Sequence, residues 1–157
     1  MTYSDEVLRR VREPQRIGVL DGEHVGTGEV GTLDEGTVVR IQVRRSGDRI
    51  AEARFKVFGC SAAIASASLV AEWLDGAPMD EAKAVTAERV VQMLGLAPER
   101  EHIARMAVEA GLKAVRSASA REQSRELRRD GGLRPPVSQP RRGGQFVRVC
   151  RLLLGER

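Results

Sequence analysis

The stretch that decides the fold is ARFKVFGCSAAIASASLV, residues 53–70, because the spacing of its apolar side chains changes at Gly59 and Cys60. Before Gly59, apolar and charged residues alternate, which is the period of a strand with one buried face. After Cys60, small and apolar residues continue as far as Leu74, and Gly76 follows. The stretch therefore predicts a strand over Arg49–Phe58 and a helix over Ser61–Leu74.

Upstream, two further strands are predicted, around Val25–Val30 and over Thr37–Val43. The first is followed by the glycine-bounded loop Gly31–Gly36, and the second by a turn at Ser46–Asp48. Strands joined by such short links form an antiparallel meander. A short helix precedes the strands, with Ser4 as its N-cap and Pro14 as its stop.

Downstream, the pattern predicts short helices over Asp80–Val85 and Ala87–Leu94 and a last helix that begins at Pro98. The buried stripe of that last helix is predicted to consist of Ile103, Met106, Ala107, Ala110 and Ala114. This order of elements predicts an α+β fold, in which a three-stranded antiparallel sheet carries helices packed on one face.

The 157 residues divide by composition into a domain at 1–120 and an Arg/Pro/Gly-rich tail at 121–157. The tail holds ten Arg and four acidic residues, so it carries +6 of a chain whose net charge is +4. We interpret 121–145 as a flexible basic arm suited to an acidic protein partner. The apolar segment 146–154 is interpreted as a docking strand or helix.

Several functional classes are excluded. No apolar run is long enough for a membrane span, and the N-terminus lacks a signal-peptide core, so a cytoplasmic protein without membrane contact is predicted. Aromatic residues make up only 3%, which argues against a stacking surface for nucleic acid. The tail alone would bind nucleic acid only non-specifically and in a salt-sensitive way. The sequence contains no P-loop, HExxH or paired CxxC motif, so none of these motifs indicates an enzyme.

Cys60 is the residue most able to carry chemistry, since it stands between a strand end and a helix start. Exposed N–H groups at a helix N-terminus favour a thiolate, which binds metals and carries sulfur. The alternative is that Cys60 is a small hydrophobic residue buried in the core. His102, in the first turn of the last helix, and the loop pair Asp34-Glu35 are each consistent with ordinary surface positions, and His24 is interpreted as structural.

Four runs together resemble the iron–sulfur scaffold proteins of the IscU/NifU family, from Tyr3 to about Ala118. These runs are YSDEVL (3–8), GVLD (18–21), VGTGEVG (25–31) and residues 53–69 with Glu72-Trp73. Leu96-Ala97-Pro98 and His102 are similar to the region before the family's last helix. The resemblance implies a non-enzymatic scaffold that builds a [2Fe–2S] cluster with sulfur from a cysteine desulfurase and passes it to a recipient protein.

The resemblance also implies three ligand cysteines, of which this chain keeps one. The family's first cysteine aligns with Glu35, the nearby Asp aligns with Thr37, the second cysteine is Cys60, and Ile103 replaces the third. The Leu-Pro-Pro-Val-Lys segment read by the family's chaperone becomes Leu-Ala-Pro-Glu-Arg at 96–100.

Two hypotheses follow from these departures. In the first, Cys60, His102, Glu35 and Asp34 form an altered ligand set, better suited to mononuclear iron or zinc than to a robust [2Fe–2S] cluster. A cluster shared by two chains, each contributing Cys60, is a variant of this hypothesis. In the second, the chain is a cluster-free descendant that serves as a protein-binding accessory subunit through its surface and tail.

Overall fold

The computed structural model describes residues 2–129, in which five α-helices, three strands and one 3-10 turn follow one another. In chain order they are α1 (Asp5–Arg12), β1 (Val25–Thr32), β2 (Thr37–Ser46), β3 (Arg49–Phe58), α2 (Ser61–Leu74), α3 (Met79–Ala82), α4 (Ala87–Leu94), the 3-10 turn (Pro98–Arg100) and α5 (Glu101–Arg129). The predicted α+β class is confirmed, and the predicted bounds of β3, α2 and α4 agree with the structure.

The sheet is an antiparallel meander in the order β1-β2-β3. Gly28 pairs with Ile41, which in turn pairs with Phe55, so these three positions lie in one row across the sheet. Ile41 and Phe55 are almost fully buried, whereas charged residues occupy the alternate positions of β3. The helices therefore cover one face of the sheet, as the sequence predicts.

Close packing of α5 on β1 depends on two glycines. A Cβ atom at Gly28 would lie 1.9 Å from the carbonyl oxygen of Ala110, and one at Gly26 would lie 2.2 Å from that of Ala114. Real side chains cannot adopt such distances, so only glycine lets the helix backbone rest directly on the strand. These glycines are thus part of the core contact between β1 and α5.

The structure differs from the predictions in the helical region. The predicted helix at 80–85 is the shorter α3, whose start is tied to the β2–β3 turn by a bond from Met79 N–H to Asp48 O (2.8 Å). The last helix opens as a 3-10 turn at Pro98 before α5 begins. Four members of its predicted stripe are buried, but Met106 is only half-buried, because it lies near the end of β1 beside Gly31.

The end of α5 overlaps the predicted basic arm, since residues 121–129 are helical. Residues 2–122 belong to one compact unit, and residues 123–129 belong to a second unit. The remainder of the tail, including Cys150 and the predicted docking segment 146–154, lies outside the described residues. Within residues 2–129, no helix is both long and apolar enough to cross a membrane.

Candidate functional site

Cys60 lies at the junction of β3 and α2, where it is the N-cap of α2 and half-buried. Its carbonyl oxygen accepts hydrogen bonds from the N–H groups of Ala63 (2.9 Å) and Ile64 (3.2 Å). Its side chain makes no capping bond, unlike that of a typical polar N-cap residue. The backbone of Cys60 therefore closes the helix while its thiol remains available for other contacts.

Gly59 brings the β1–β2 connection close to this junction. Its φ is +157°, and a Cβ atom there would lie 3.2 Å from Thr37 Cγ2 and 3.3 Å from Ala63 Cβ. Contacts of that length are tighter than most side chains accept. Thr37, which stands where the family's loop aspartate is expected, is thus a neighbour of the residue that precedes Cys60.

Arg100 is the side chain that the structure brings to the thiol. Its Nη1 donates a hydrogen bond to Cys60 Sγ over 3.6 Å, and its Cζ lies 4.8 Å from the centre of the Tyr3 ring. A guanidinium over an aromatic face makes a favourable cation–π contact. Arg100 was not predicted to be a site residue; its place in the sequence, two residues after Pro98 and two before His102, was the available signal.

The loop residues of the predicted ligand set are turned to solvent. Asp34 and Glu35 are exposed in the turn between β1 and β2. The Glu35 carboxylate accepts a hydrogen bond from the Thr32 hydroxyl at 3.1 Å, and that hydroxyl accepts one from Glu35 N–H at 3.3 Å. Glu35 is therefore engaged within its own turn.

His102 and Ile103, near the start of α5, lie in different environments. His102 is exposed, whereas Ile103 is only 5% exposed and belongs to the hydrophobic core. The side chain at the position where the resemblance implies a third cysteine therefore packs in the core. In the part of the chain that the structure describes, no three His, Cys, Asp or Glu side chains form a group that could hold a metal ion.

His24, interpreted from the sequence as structural, lies near a carboxylate. Its Nδ1 is 3.5 Å from Glu122 Oε2. This contact joins the segment before β1 to the α5 helix. His24 was not part of the predicted ligand set.

A second polar cluster lies between α1 and α2 and was not predicted. Arg10 is only 5% exposed, and its guanidinium forms ion pairs with Glu6 and Glu72, each at 2.8 Å. Hydrogen bonding from Arg9, followed by that from Arg10, holds the pKa of Glu6 below its ordinary value against the opposing effect of burial. This cluster fixes α1 on α2 rather than forming part of the thiol site.

The comparisons with known proteins agree with this fold. Residues 2–125 match the family model described as the NifU-like N terminal domain. The chain is 39% identical over 119 residues to the iron-sulfur cluster assembly scaffold protein IscU of Azotobacter vinelandii. The matched region covers 74% of this chain and 93% of that protein. The chain is 35% identical over 128 residues to the protein of the same name from Escherichia coli K12, over 80% of this chain and 100% of that one.

Two solved structures have a similar fold. One is the N-terminal part of a nitrogen-fixing NifU-like protein from Brucella abortus, with a TM-score of 0.59 at 19% identity over 74% of this chain and 94% of that one. The other is a putative iron-sulfur cluster assembly scaffold protein for the SUF system from Fervidobacterium islandicum AW-1, with a TM-score of 0.55 at 18% identity, over 72% of this chain and 96% of that one.

Proposed function

Because the chain belongs to the NifU-like N-terminal domain family, we propose that it is a scaffold-type protein of iron–sulfur cluster assembly in which Cys60 holds iron or sulfur. The relatives at 35–39% identity are named as scaffolds of this kind. The cargo is iron or a labile [2Fe–2S] cluster, received with the help of a cysteine desulfurase and passed to a recipient protein in the cytoplasm. The chain acts as a carrier and not as an enzyme.

The observation that carries the proposal is the placement of Cys60. Its thiol makes no capping bond at the N-terminus of α2, next to the close contact between Gly59 and Thr37. A half-buried thiol is accessible to iron and to a sulfur donor, and thiol sulfur is a ligand suited to iron. The one retained family cysteine therefore stands in a setting suited to its chemistry.

The remaining donors define how the cargo is held. A [2Fe–2S] cluster needs about four terminal ligands, normally thiolates, and residues 2–129 contain one cysteine. The proposed ligands are Cys60, His102 and Glu35, with Asp34 as a further donor. Because no three His, Cys, Asp or Glu side chains of residues 2–129 form a group that could hold a metal ion, loading requires the β1–β2 turn and the start of α5 to approach Cys60. Two copies that each contribute Cys60 would meet the same need.

Anaerobic reconstitution tests the proposal. The purified chain is incubated with iron, sulfide and a cysteine desulfurase, and its visible absorption and metal content are then measured. The metal content also shows whether the bound metal is iron or zinc. We expect the wild-type chain and Cys150→Ser, the matched control, to retain iron, and Cys60→Ala to lose it. A wild-type chain that stays colourless and metal-free, or a Cys60→Ala variant that loads equally well, would refute the proposal.

A second candidate function is favoured by Ile103. A descendant that no longer binds a cluster needs no ligand at this position. A hydrophobic side chain that packs in the core, such as Ile103, can then replace the cysteine. Such a protein would act as an accessory subunit that docks on an acidic partner through its surface and basic tail. Deleting residues 130–157, which leaves all of α5 in place, should then abolish co-purification of the partner, whereas Cys60→Ala should not.

A further inference from the structure

A small surface on α2 and α4, which we call the Trp73 surface, consists of Trp73, Arg89 and Met93. The guanidinium carbon of Arg89 lies 5.1 Å from the centre of the Trp73 ring, within the range of a cation–π contact. Arg89 is exposed and Trp73 is half-buried. Met93 follows Arg89 by one helical turn, so the two side chains are neighbours on α4, and Met93 is 56% exposed. The three side chains therefore form a continuous strip.

The charge of Arg89 is not neutralised by a neighbour along its own helix. The positions three and four residues before and after it hold Val85, Thr86, Gln92 and Met93, all of which are uncharged. These are the positions whose side chains lie next to Arg89 on a helix surface. A carboxylate that pairs with Arg89 must therefore come from elsewhere.

Other cations on the helices differ from Arg89 in this respect. Arg105 pairs with Glu101 and Lys113 pairs with Glu109, each one turn away. Within residues 2–129, Arg89 forms no ion pair, and its contact with the aromatic ring brings no negative charge. Its positive charge is therefore available to a carboxylate of another molecule.

The residue types of the Trp73 surface are those that protein interfaces favour. Trp and Arg are enriched among the residues that contribute most to binding, and Met is enriched at interfaces relative to the rest of the protein surface. One cation is too little for a nucleic acid or an anionic membrane, which are bound through several Lys and Arg residues. The surface therefore fits a protein segment with a carboxylate beside apolar side chains.

We propose that the Trp73 surface binds a segment of another protein in which a carboxylate lies beside aliphatic side chains. The carboxylate pairs with Arg89, and the aliphatic side chains cover the exposed parts of Trp73 and Met93. The inference goes beyond the proposed function, because the surface includes neither Cys60 nor its proposed co-ligands. A purely structural role, in which Arg89 only covers the Trp73 ring, would give no preference for acidic segments.

Intrinsic fluorescence tests the proposal directly, because Trp73 is the single tryptophan of the chain. The full chain is titrated with a synthetic amphipathic peptide of Leu and Glu residues, and separately with its counterpart in which Lys replaces every Glu. Neither peptide contains tryptophan, so the emission comes from Trp73 alone. We expect a saturable blue shift with the acidic peptide, because its aliphatic side chains exclude water from the indole ring, and no saturable shift with the basic peptide.

Variants of the full chain separate binding at this surface from a general attraction between opposite charges. Arg89→Gln should weaken binding of the acidic peptide about ten-fold, the loss expected for one charge-assisted hydrogen bond. Met93→Ala should weaken it about five-fold through the loss of apolar contact. Arg116→Gln is the matched control, because Arg116 is an exposed arginine on α5 that forms no ion pair in the described part of the chain, and it should leave binding unchanged.

Four results would overturn the proposal. The first two are no saturable shift with the acidic peptide and an equal shift with the basic one. The third is an affinity that Arg89→Gln leaves unchanged, or that Arg116→Gln lowers by as much. The fourth is a blue shift that develops when the chain alone is concentrated, which would assign the surface to a second copy of the chain. Because the titration needs no iron, its outcome is independent of whether reconstitution succeeds.

Discussion

Arg100 donates a hydrogen bond to the sulfur of Cys60 although the two residues are 40 positions apart in the chain. The contact joins the 3-10 turn before α5 to the start of α2, so two elements that are distant in sequence meet at the thiol. A positively charged side chain therefore lies beside the one cysteine of residues 2–129.

Restoring a thiol in the β1–β2 turn should improve retention of a cluster. Glu35 is exposed, so Glu35→Cys should change the free energy of unfolding by no more than about 0.5 kcal/mol. Because thiolates are the normal cluster ligands, the reconstituted variant should hold more iron per chain than the wild type. Iron content and visible absorption after desalting provide the measurement. An unchanged iron content would mean that the turn cannot reach Cys60.

Adding Ile103→Cys should increase retention further, but at a cost to the fold. Ile103 is 5% exposed within the core, and removing its methyl and methylene groups should lower the free energy of unfolding by roughly 2 kcal/mol. Urea denaturation of the single and double variants measures that loss. If the double variant is as stable as Glu35→Cys alone, Ile103 does not contribute to the core as its burial indicates.

The elements nearest Gly59 could be predicted accurately because local signals agree there. The alternation in β3 and the small apolar run of α2 meet at one glycine, and both bounds match the structure. The prediction for α3 was less accurate: the helix begins at Met79, one residue before the predicted start, and ends at Ala82, three residues before the predicted end, and a bond from Met79 to Asp48 in another part of the chain holds its start. No local pattern reports such a contact.

The site was predicted only in part for the same reason. Cys60 could be identified from its position between strand and helix and from the family resemblance. Its contact with Arg100, and the burial of Arg10 between Glu6 and Glu72, depend on the packing of elements that are distant in sequence. In both cases an arginine looks like a surface residue in the sequence, and only the tertiary structure gives it a partner.

Gly28→Ala should destabilise the fold strongly. The added Cβ would lie 1.9 Å from Ala110 O and 2.6 Å from Ala114 N, so α5 must move away from β1. We expect a loss of about 3 kcal/mol in the free energy of unfolding, at the upper end for an overpacked core site. Glu29→Ala, the neighbour whose exposed side chain pairs with Arg40, should cost at most about 1 kcal/mol. Similar losses for the two variants in urea denaturation would contradict the close packing.

Ser4→Ala should weaken the attachment of α1. The Ser4 hydroxyl accepts a hydrogen bond from Val7 N–H at 3.3 Å and donates one to the carbonyl of Leu94 at the end of α4. Loss of an N-cap side chain costs about 1 kcal/mol, and the unpaired Leu94 carbonyl should raise this to roughly 2 kcal/mol. Thr86→Ala is the control, because the Thr86 side chain makes no capping bond. Thermal denaturation should show a clear drop for the first variant only.

The stability contributed by Glu6 should depend on pH in a defined direction. Hydrogen bonds from Arg9 and Arg10 lower the pKa of Glu6 in the folded chain below its ordinary value of 4.5. A lowered folded-state pKa gives stability that is fully present above the unfolded value and is lost as the pH falls through the folded value. The difference in free energy of unfolding between wild type and Glu6→Gln should therefore be constant from pH 7 to pH 5 and shrink below about pH 4. Urea denaturation at each pH measures it, with Glu109→Gln as the control, since Glu109 is an exposed residue that pairs with Lys113 on α5. A difference that grows as the pH falls would show that the arginines do not stabilise the ionised form of Glu6.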